Sequence, residues 1–352
     1  MKVLVAMSGG VDSSVAAALA LAGGHSVVGA TMKLWGGPAD RGCCSVSDVD
    51  DARRVAQQLG IAHHVFNFSA DFERHVVEPY VADHAAGATP NPCIECNRHV
   101  KFDSFLRRAL RLGFDAVATG HHARVVRDPD GSWSLRRGAD AAKDQSYVLH
   151  MLGQEQLARV LLPVGEMTKA EVRAEAARLG LRTAAKADSQ DVCFISSAAG
   201  RAAFLAERMA LHPGRVVDRA GRTLGEVEAV ELVTVGQRRG LGAAAGRYAV
   251  EVDVARRTVT AGTADELMVS SVPVGPPAWV AGAPDPAEDL EVQTSAHGTP
   301  VPARWHPAPG SAPGGVAGRV LTASPIRRVA PGQSVVLYRG DRVVGGAVAA
   351  PA

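Results

Sequence analysis

The segment Ser8-Gly9-Gly10-Val11-Asp12-Ser13, near the start of the chain, has the composition of a phosphate-binding loop. Its glycines let a ligand approach backbone N–H groups, its serines add hydroxyl donors, and a helix starting here would direct its positive end at the ligand. A Walker A loop is excluded, because Val11-Asp12-Ser13-Ser14 stands where Gly-Lys-Ser/Thr is required. A carboxylate beside phosphate is typical of sites where Mg²⁺ bridges the two. The combination favours a phosphate or pyrophosphate site over a plain glycine-rich turn.

Two cysteines far apart in sequence, Cys96 and Cys193, are candidates for redox-active sulfur chemistry. Pro90 and Pro92 disfavour regular structure before Cys96, so we expect this cysteine near the start of a helix. The helix start and the nearby basic residues would stabilise a thiolate. Cys193 lies among apolar residues but follows a polar, turn-prone stretch.

The Cys-x-x-Cys pair Cys93 and Cys96 has competing interpretations. With Cys43, Cys44 or Cys193 the pair could bind Zn²⁺ or an Fe–S cluster, and all these cysteines could also be inert structural thiols. Because no second pair at metal-site spacing is present, an Fe–S cluster is possible but not favoured. The two His-His pairs lack ligand spacing to the cysteines, so we predict no metal-ligating residues.

Alternating strands and helices must position these residues. The pattern predicts strands over residues 2–6, 25–32, 62–68 and 115–119, and helices over 11–21, 48–59 and 101–112. A capping box at Thr168 predicts another helix that stops at Gly180. This alternation predicts an α/β domain with a doubly wound parallel sheet. Such sheets bind ligands beyond the carboxyl ends of their strands, where Met32 and Gly120 would lie.

The residue pattern changes after His212-Pro213-Gly214, where short runs of alternating apolar and polar residues replace helical periodicity. A second change comes at Val274-Gly275-Pro276-Pro277. We predict three domains: an α/β domain of residues 1–205, a small central β-rich domain of residues 206–272, and a C-terminal β-rich domain of residues 273–352.

The composition sets limits on location and partners. Hydrophobic residues are 47% and charged residues 21% of the 352, which is ordinary for a globular protein, and the net charge of +2 gives no global basic field. Apolar runs are too short for a membrane span and the N-terminus does not resemble a signal peptide. We therefore expect a cytoplasmic protein with no membrane partner. The odd count of five cysteines argues against a structural disulfide framework.

The Ser8–Ser13 loop resembles the PP-loop of N-type ATP pyrophosphatases, which split ATP between its α and β phosphates. Along nearly its full length, the chain resembles the tRNA-specific 2-thiouridylase (MnmA) family. The matching stretches are Ala6 to Ser13, Gly42-Cys43-Cys44-Ser45, Asp48 to Ala52, Thr89 to Asn97, Lys101-Phe102, Thr119 to His122, Lys143 to Tyr147, Asp188-Ser189-Gln190, Cys193-Phe194-Ile195 and Gly236 to Gly242.

The resemblance implies ATP-dependent 2-thiolation of the wobble uridine of tRNA, with adenylation of the uridine C2 oxygen followed by sulfur transfer. It implies a PP-loop domain followed by a small β-rich domain and a C-terminal β-barrel. Cys193 would accept sulfur as a persulfide from a sulfur-carrier protein or a cysteine desulfurase. Cys96 would release that sulfur or close a transient disulfide with Cys193. ATP with Mg²⁺ would bind Ala6, Met7, Ser8, Gly9, Gly10, Val11, Asp12, Ser13, Met32 and Gly120.

The residues expected to contact tRNA are spread over all three domains. The resemblance assigns Lys143, Asp144 and Gln145, whose polar side chains suit phosphate and base contacts. Arg238 and Arg239 lie in a glycine-rich loop suited to backbone phosphates, and Ile326-Arg327-Arg328 with Arg319 forms a further basic spot. Arg304-Trp305 is the nearest match to an Arg-Tyr pair of the family, with Trp305 available for base stacking.

One departure from the family concerns Cys93, because many members carry Asp at this position. Either Cys93 substitutes for that group, the group is dispensable, or Cys93 is a third thiol in the relay. Two other functions compete with thiolation. An amidoligase-like synthetase of small metabolites would not need Cys96 and Cys193, and a non-catalytic RNA-binding protein would bind RNA independently of ATP.

Overall fold

The computed structural model describes residues 1–35, 46–188, 192–195, 200–242, 244, 246–308 and 315–351. The strands are β1 Lys2–Ala6, β2 Ser26–Lys33, β3 His63–Asn67, β4 Ala116–Ala118, β5 Ala123–Arg127, β6 Trp133–Arg137, β7 Val160–Leu161, β8 Gly214–Val217, β9 Thr223–Val227, β10 Tyr248–Asp253, β11 Thr258–Gly262, β12 Met268–Val274, β13 Ala278–Trp279, β14 Leu290–Gln293, β15 Val301–Pro307, β16 Gly318–Arg327, β17 Ser334–Arg339 and β18 Arg342–Val348. The α-helices are α1 Val11–Ala22, α2 Val46–Gln58, α3 Ser69–Phe72, α4 Glu78–Ala85, α5 Pro92–Glu95, α6 Leu106–Arg111, α7 Gln154–Leu157, α8 Lys169–Arg178 and α9 Gly200–Ala206.

The first part of the chain forms a parallel sheet in the order β3-β2-β1-β4-β7. Four of the five residues of β1 are buried, as expected for a central strand covered on both faces. Valine and alanine side chains of α1 pack with β1 on one face, while aromatic residues of the helices from 69 to 111 cover the other. The predicted doubly wound α/β domain is confirmed.

Two helices are continuous through π-helical stretches. Glu73–Val77 joins α3 to α4, and Cys96–Phe105 joins α5 to α6. The predicted helix over 101–112 therefore belongs to a longer one that begins at Pro92. Proline suits this first helical position because its missing N–H needs no partner there. The side chain of Asn91 accepts a hydrogen bond from the Cys93 backbone N–H (3.1 Å) and caps the helix.

The remaining strands form two β-rich units. The central unit is a sheet in the order β10-β11-β8-β9 around its own apolar cluster. The C-terminal unit follows the order β12-β16-β15-β14-β17-β18. An antiparallel bridge between Val274 and Ala349 brings β12 back to the end of β18 and closes the barrel. The expected C-terminal barrel is confirmed, and its first strand begins at Met268, before the predicted boundary at 273.

The hairpin β5-β6 links the α/β domain to the barrel. Arg136 of β6 pairs with Arg342 of β18, so a hairpin from the first domain extends the barrel sheet. The Arg137 guanidinium lies 3.7 Å from the centroid of the Tyr338 ring in the barrel. The hydroxyl of Tyr147 donates to the backbone carbonyl of Ser334 (2.7 Å). The first and last domains are therefore tied together along this seam.

In the part of the chain that the structure describes, no helix has the length and apolar character needed to cross a membrane.

Candidate functional site

The turn between β1 and α1 is shaped by its own side chains. The Ser13 hydroxyl donates to the Gly10 carbonyl (3.0 Å) and accepts from the Ser8 backbone N–H (3.2 Å). The Ser14 hydroxyl also donates to the Gly10 carbonyl (2.8 Å). Gly9 has φ +74°, and a Cβ at this position would lie 2.3 Å from the Asp48 carbonyl oxygen. Only glycine fits there, so the start of the 12-residue helix α1 is held in one defined loop conformation.

Gly120, which follows β4, is pressed against this turn. A Cβ on Gly120 would lie 2.6 Å from both the Asp12 carbonyl carbon and the Ser13 nitrogen. The order of the sheet reverses between β1 and β4, which is where doubly wound sheets bind ligands. Met32 lies near the end of the next strand, β2, where it is partly buried. The residues expected to bind ATP therefore lie at the ends of three adjacent strands.

Asp12 is held by two groups from distant parts of the chain. Lys169 Nζ lies 2.7 Å from both carboxylate oxygens of Asp12, and His122 Nε2 lies 3.1 Å from one of them. Burial raises the pKa of Asp12, but the hydrogen bonds from His122 and Lys169 outweigh it and bring the pKa below its ordinary value. Asp12 is therefore a carboxylate, the form that could ligate Mg²⁺.

Lys169 also bonds a second carboxylate, that of Asp188. Its Nζ lies 2.9 Å from Asp188, which also bonds Lys143 (2.9 Å) and Arg173 (2.8 Å). Burial raises the pKa of Asp188, but Lys169 and Lys143 lower it to about 2. We call Asp12, Lys169, Asp188, Lys143 and Arg173 the Asp12–Asp188 network.

Sequence reasoning missed Lys169 and His122 as site residues. The predicted capping box is confirmed, because Thr168 accepts from the Glu171 N–H and Glu171 accepts from the Thr168 N–H. This cap fixes Lys169 as the first residue of α8, but no local pattern indicates that its side chain reaches a loop 157 residues away.

The three residues expected at the tRNA have different surroundings. Lys143 is 43% exposed and bonds Asp188. Gln145 is half-buried, and its side chain accepts from the His122 backbone N–H (2.9 Å). Asp144 is buried and accepts from the backbone N–H groups of Gly138 and Ser146. The expectation that Asp144 contacts tRNA directly is at odds with this position, because its carboxylate is used to shape the loop from within.

Cys96 and Cys193 belong to one apolar cluster, Cys96 buried within it and Cys193 partly buried against it. Phe194 anchors the Cys193 segment, because its ring packs edge-on against Phe204 (5.1 Å) and Tyr80 (5.5 Å). Cys96 is the first residue of the π-helical stretch, a feature frequent at functional sites. The structure thus places both cysteines in the α/β domain. Cys93, on the same helix as Cys96, is exposed.

The described residues contain no group of three or more His, Cys, Asp or Glu side chains arranged to hold a metal ion. Cys43, Cys44 and the 189–191 stretch lie outside the described residues.

The predicted RNA contacts of the β-rich units divide by exposure. Arg238 and Arg239 are exposed, between Gly236 (φ +89°) and Gly240 (φ +74°). Arg304 is exposed but lies 2.7 Å from Asp289. Trp305 is only 4% exposed and packs edge-on against Trp279, 5.3 Å away, inside the barrel. The expectation that Trp305 stacks on a base is contradicted by this burial.

Comparison with known proteins decides the family. A family model described as tRNA methyl transferase HUP domain matches residues 1–197, and one described as aminomethyltransferase beta-barrel domain matches residues 269–349. The tRNA-specific 2-thiouridylase MnmA of Kineococcus radiotolerans is 50% identical over 359 residues, 99% of this chain and 98% of that protein. The protein of the same name from Chloroflexus aurantiacus is 47% identical over 98% and 97% of the two chains. The chain belongs to the tRNA-specific 2-thiouridylase family.

The geometry at the ends of β1, β2 and β4 is that of an anion site. Three features together suit a triphosphate with Mg²⁺. They are the loop at Gly9, where only glycine fits, the N-terminus of α1 and the Asp12 carboxylate. The resemblance of the chain to the 2-thiouridylase family is therefore confirmed, together with the fold it implied.

Proposed function

We propose that this chain is an ATP-dependent tRNA-uridine 2-sulfurtransferase that thiolates the wobble uridine. The observation that carries the proposal is the meeting of the Ser8–Ser13 loop, Gly120 and Lys169 around Asp12, in the same domain as Cys96 and Cys193. A phosphate site supplies activation, and two separated thiols supply sulfur. The relatives named as tRNA-specific 2-thiouridylases support the choice of tRNA as substrate.

The first step is adenylation of the uridine C2 oxygen. That oxygen attacks the α-phosphorus of ATP, a P–O bond forms, and the bond to pyrophosphate breaks. The α1 N-terminus and the Ser8–Ser13 backbone stabilise the negative charge of the leaving pyrophosphate. Asp12 would hold Mg²⁺, which shields phosphate charge when it is bound. Lys169 would exchange a carboxylate for a phosphate oxygen of the nucleotide, since it already bonds both Asp12 and Asp188.

The second step is sulfur transfer. A donor protein, a sulfur carrier or a cysteine desulfurase, leaves a persulfide on Cys193. The terminal sulfur attacks C2 of the adenylated base, a C–S bond forms, and AMP leaves with its oxygen. The Cys96 thiolate attacks the inner sulfur of Cys193, so the S–S bond of the persulfide breaks and a Cys96–Cys193 disulfide forms. An external thiol reductant then restores both cysteines.

The tRNA contacts retained in this proposal are Lys143, Gln145, Arg238, Arg239 and Arg304. Arg238 and Arg239 are exposed on a loop between Gly236 and Gly240, which suits contact with the phosphate backbone. Lys143 is the most exposed member of the Asp12–Asp188 network, with 43% of its side chain exposed, so it is available to an RNA phosphate.

The test is mass spectrometry of nucleosides from unmodified tRNA incubated with enzyme, Mg-ATP and a persulfide donor. We expect 2-thiouridine with the wild type and none with Cys193→Ser or Cys96→Ser, while both variants still release pyrophosphate in a tRNA-dependent manner. Cys93→Asp, the matched control on the same helix, should stay active because Cys93 is exposed and outside the two-cysteine relay.

Two results would change the proposal. If every form of the enzyme yields AMP and pyrophosphate but no 2-thiouridine, the nucleotide site stands and the tRNA assignment does not. If Cys93→Asp is as inactive as Cys96→Ser, the relay has a third thiol.

A further inference from the structure

Two arginines from different domains flank one tyrosine ring at the seam between the central unit and the barrel. Arg238 Cζ lies 5.8 Å and Arg327 Cζ lies 5.9 Å from the centroid of the Tyr248 ring. Arg238 and Tyr248 belong to the central unit, whereas Arg327 ends β16 of the barrel. Both distances are within the range of cation–π attraction, so one ring holds two cationic groups at the same place. We call Arg238 and Arg327, which share the Tyr248 ring, the arginine pair.

The positive charge of the arginine pair has no carboxylate counterion among the side chains that the structure describes. Among the described residues, neither Arg238 nor Arg327 forms an ion pair with a carboxylate, and both are exposed. Two other arginines of the central unit do have carboxylate partners, since Arg219 bonds Glu266 (2.7 Å) and Arg256 bonds Asp253 (3.4 Å). Two like charges held together in this way raise the local positive potential, which attracts a polyanion.

The backbone on both sides of the arginine pair is fixed. The Arg238 loop is attached to β10 by hydrogen bonds from the Gly236 N–H to the Ala249 carbonyl (2.7 Å) and from the Ala249 N–H to the Gln237 carbonyl (2.9 Å). On the other side, the Arg328 N–H donates to the Leu267 carbonyl (2.7 Å), just before β12 begins. The pair is therefore presented by ordered backbone, which lowers the entropy cost of binding.

The loop that carries Arg238 also contacts the segment leading to Cys96. The hydroxyls of Thr234 and Thr89 are 3.2 Å apart, and the Thr89 N–H donates to the Pro331 carbonyl of the barrel (2.7 Å). All three domains thus meet at Thr89, a few residues before the helix of Cys96. A polyanion on the arginine pair would lie along a surface that leads to this helix.

We propose that the arginine pair is a composite phosphate-binding station for the tRNA backbone, formed only when the central unit and the barrel are docked. This inference rests on the proposed function and adds Arg327 and Tyr248 to its RNA contacts. Arginine suits the task because its planar fork can bond phosphate oxygens while its face stacks on the ring. The station carries affinity and orientation and does not read sequence.

The test measures binding of an unmodified tRNA transcript to the full-length chain by filter binding at several salt concentrations. Arg238→Ala and Arg327→Ala should each weaken binding about 5- to 10-fold at moderate salt and lower the dependence on log salt by about one phosphate contact. Tyr248→Leu should weaken binding by a similar factor, and Tyr248→Phe should bind like the wild type because the ring is kept. Arg256→Ala, an exposed arginine that already has a carboxylate partner, is the matched control and should leave binding unchanged.

The outcomes separate this inference from the proposed function. In support, Arg238→Ala and Arg327→Ala should raise the KM for tRNA in thiolation by about the factor by which they weaken binding. If the wild type thiolates tRNA but the double variant binds it equally well at every salt concentration, the station is overturned and the function stands. If only turnover with a protein sulfur donor falls, the surface binds that acidic protein instead, which also overturns it. If the wild type makes no 2-thiouridine, the proposed function itself fails.

Discussion

The proposed nucleotide site and the proposed RNA surface neutralise their charges in opposite ways. The first, called the nucleotide end, contains the Asp12–Asp188 network, and the second, called the RNA end, contains the arginine pair. In the Asp12–Asp188 network each carboxylate contacts cations within 3 Å, and Lys169 is only 12% exposed. In the arginine pair the cations contact an aromatic ring, and no carboxylate of the described residues neutralises them. At the nucleotide end the charges of the protein neutralise one another, and at the RNA end the positive charges face solvent.

This difference indicates different kinds of recognition. At the nucleotide end a ligand must exchange partners with groups that are already bonded, so binding depends on matching geometry and changes little with salt. At the RNA end a phosphate gains contacts without breaking any internal ion pair and releases counterions. Such contacts provide affinity that depends strongly on salt. A tRNA-modifying enzyme needs both, since it must place one base accurately while holding a large polyanion.

The largest effect is expected from removing Lys169, the cation that bonds both carboxylates of the nucleotide end. We expect Lys169→Met to slow tRNA-dependent pyrophosphate exchange by about 10²–10³-fold, because a donor to developing phosphate charge is lost. Lys143→Met, which removes a cation from Asp188 but not from Asp12, should have a smaller effect. Binding of tRNA to Lys169→Met should equal that of the wild type, whereas Lys143→Met should also weaken binding, because Lys143 is a proposed tRNA contact. An exchange rate of Lys169→Met close to the wild-type rate would remove Lys169 from the activation step.

The second prediction concerns the shape of the loop. Gly9→Ala should weaken ATP binding at least tenfold and destabilise the fold by about 2 kcal/mol or more, because φ is +74° and the new Cβ meets the Asp48 carbonyl. Gly24→Ala is the matched control, since its φ of +76° is similar but no atom lies within 4 Å. That variant should lose only about 1 kcal/mol and keep its ATP affinity. Isothermal titration with ATP and thermal denaturation would distinguish the two, and equal losses would contradict a role for the Asp48 contact.

The sequence predicted the parts of the site that depend on short-range geometry. Gly9 and Gly10 follow a buried strand and precede a helix, and Gly120 follows another strand, so their place at the strand ends could be inferred. The contacts of Asp12 with Lys169 and His122 join residues more than a hundred positions apart, which no local pattern encodes. The seam between Arg136 and Arg342 is equally non-local.

The burial of Trp305 could have been predicted from the alternation of side chains along a strand. Successive side chains of a strand point to opposite faces. In β15, Ala303 and Trp305 are buried and Arg304 is exposed. Arg304 and Trp305 could therefore not both face an RNA, and the apolar ring takes the inner side.

The third prediction uses pH to separate the Asp12–Asp188 network from the acid-sensitive histidines of the fold. The pKa of Asp188 is about 2, so its charged network persists well below neutral pH. Burial lowers the pKa of His84 and of His150 from 6.5 to about 4. Each therefore binds a proton in the unfolded state first, and stability present above pH 6.5 is lost as the pH falls toward 4.

The expected loss is about 1.4 kcal/mol per pH unit for each histidine within this window. Urea unfolding at pH 7 and at pH 5 would measure it. His150→Phe should flatten the dependence, although the ring packs closely under Gly346 and the variant can lose stability at every pH. A slope unchanged by both this variant and His84→Phe would show that other groups cause the acid sensitivity.

The smallest expected effect tests whether internal neutralisation, rather than exposure, decides which arginines bind RNA. Arg304 is exposed on β15 and bonds Asp289 at 2.7–2.8 Å. Because that charge is already compensated, Arg304→Ala should weaken tRNA binding less than about twofold, well below the effect of Arg238→Ala. Asp289→Ala should free the guanidinium and strengthen binding slightly, with a steeper salt dependence. If Arg304→Ala instead weakens binding as much as Arg238→Ala does, a phosphate displaces Asp289, and charge pairing in the unbound protein does not identify the RNA surface.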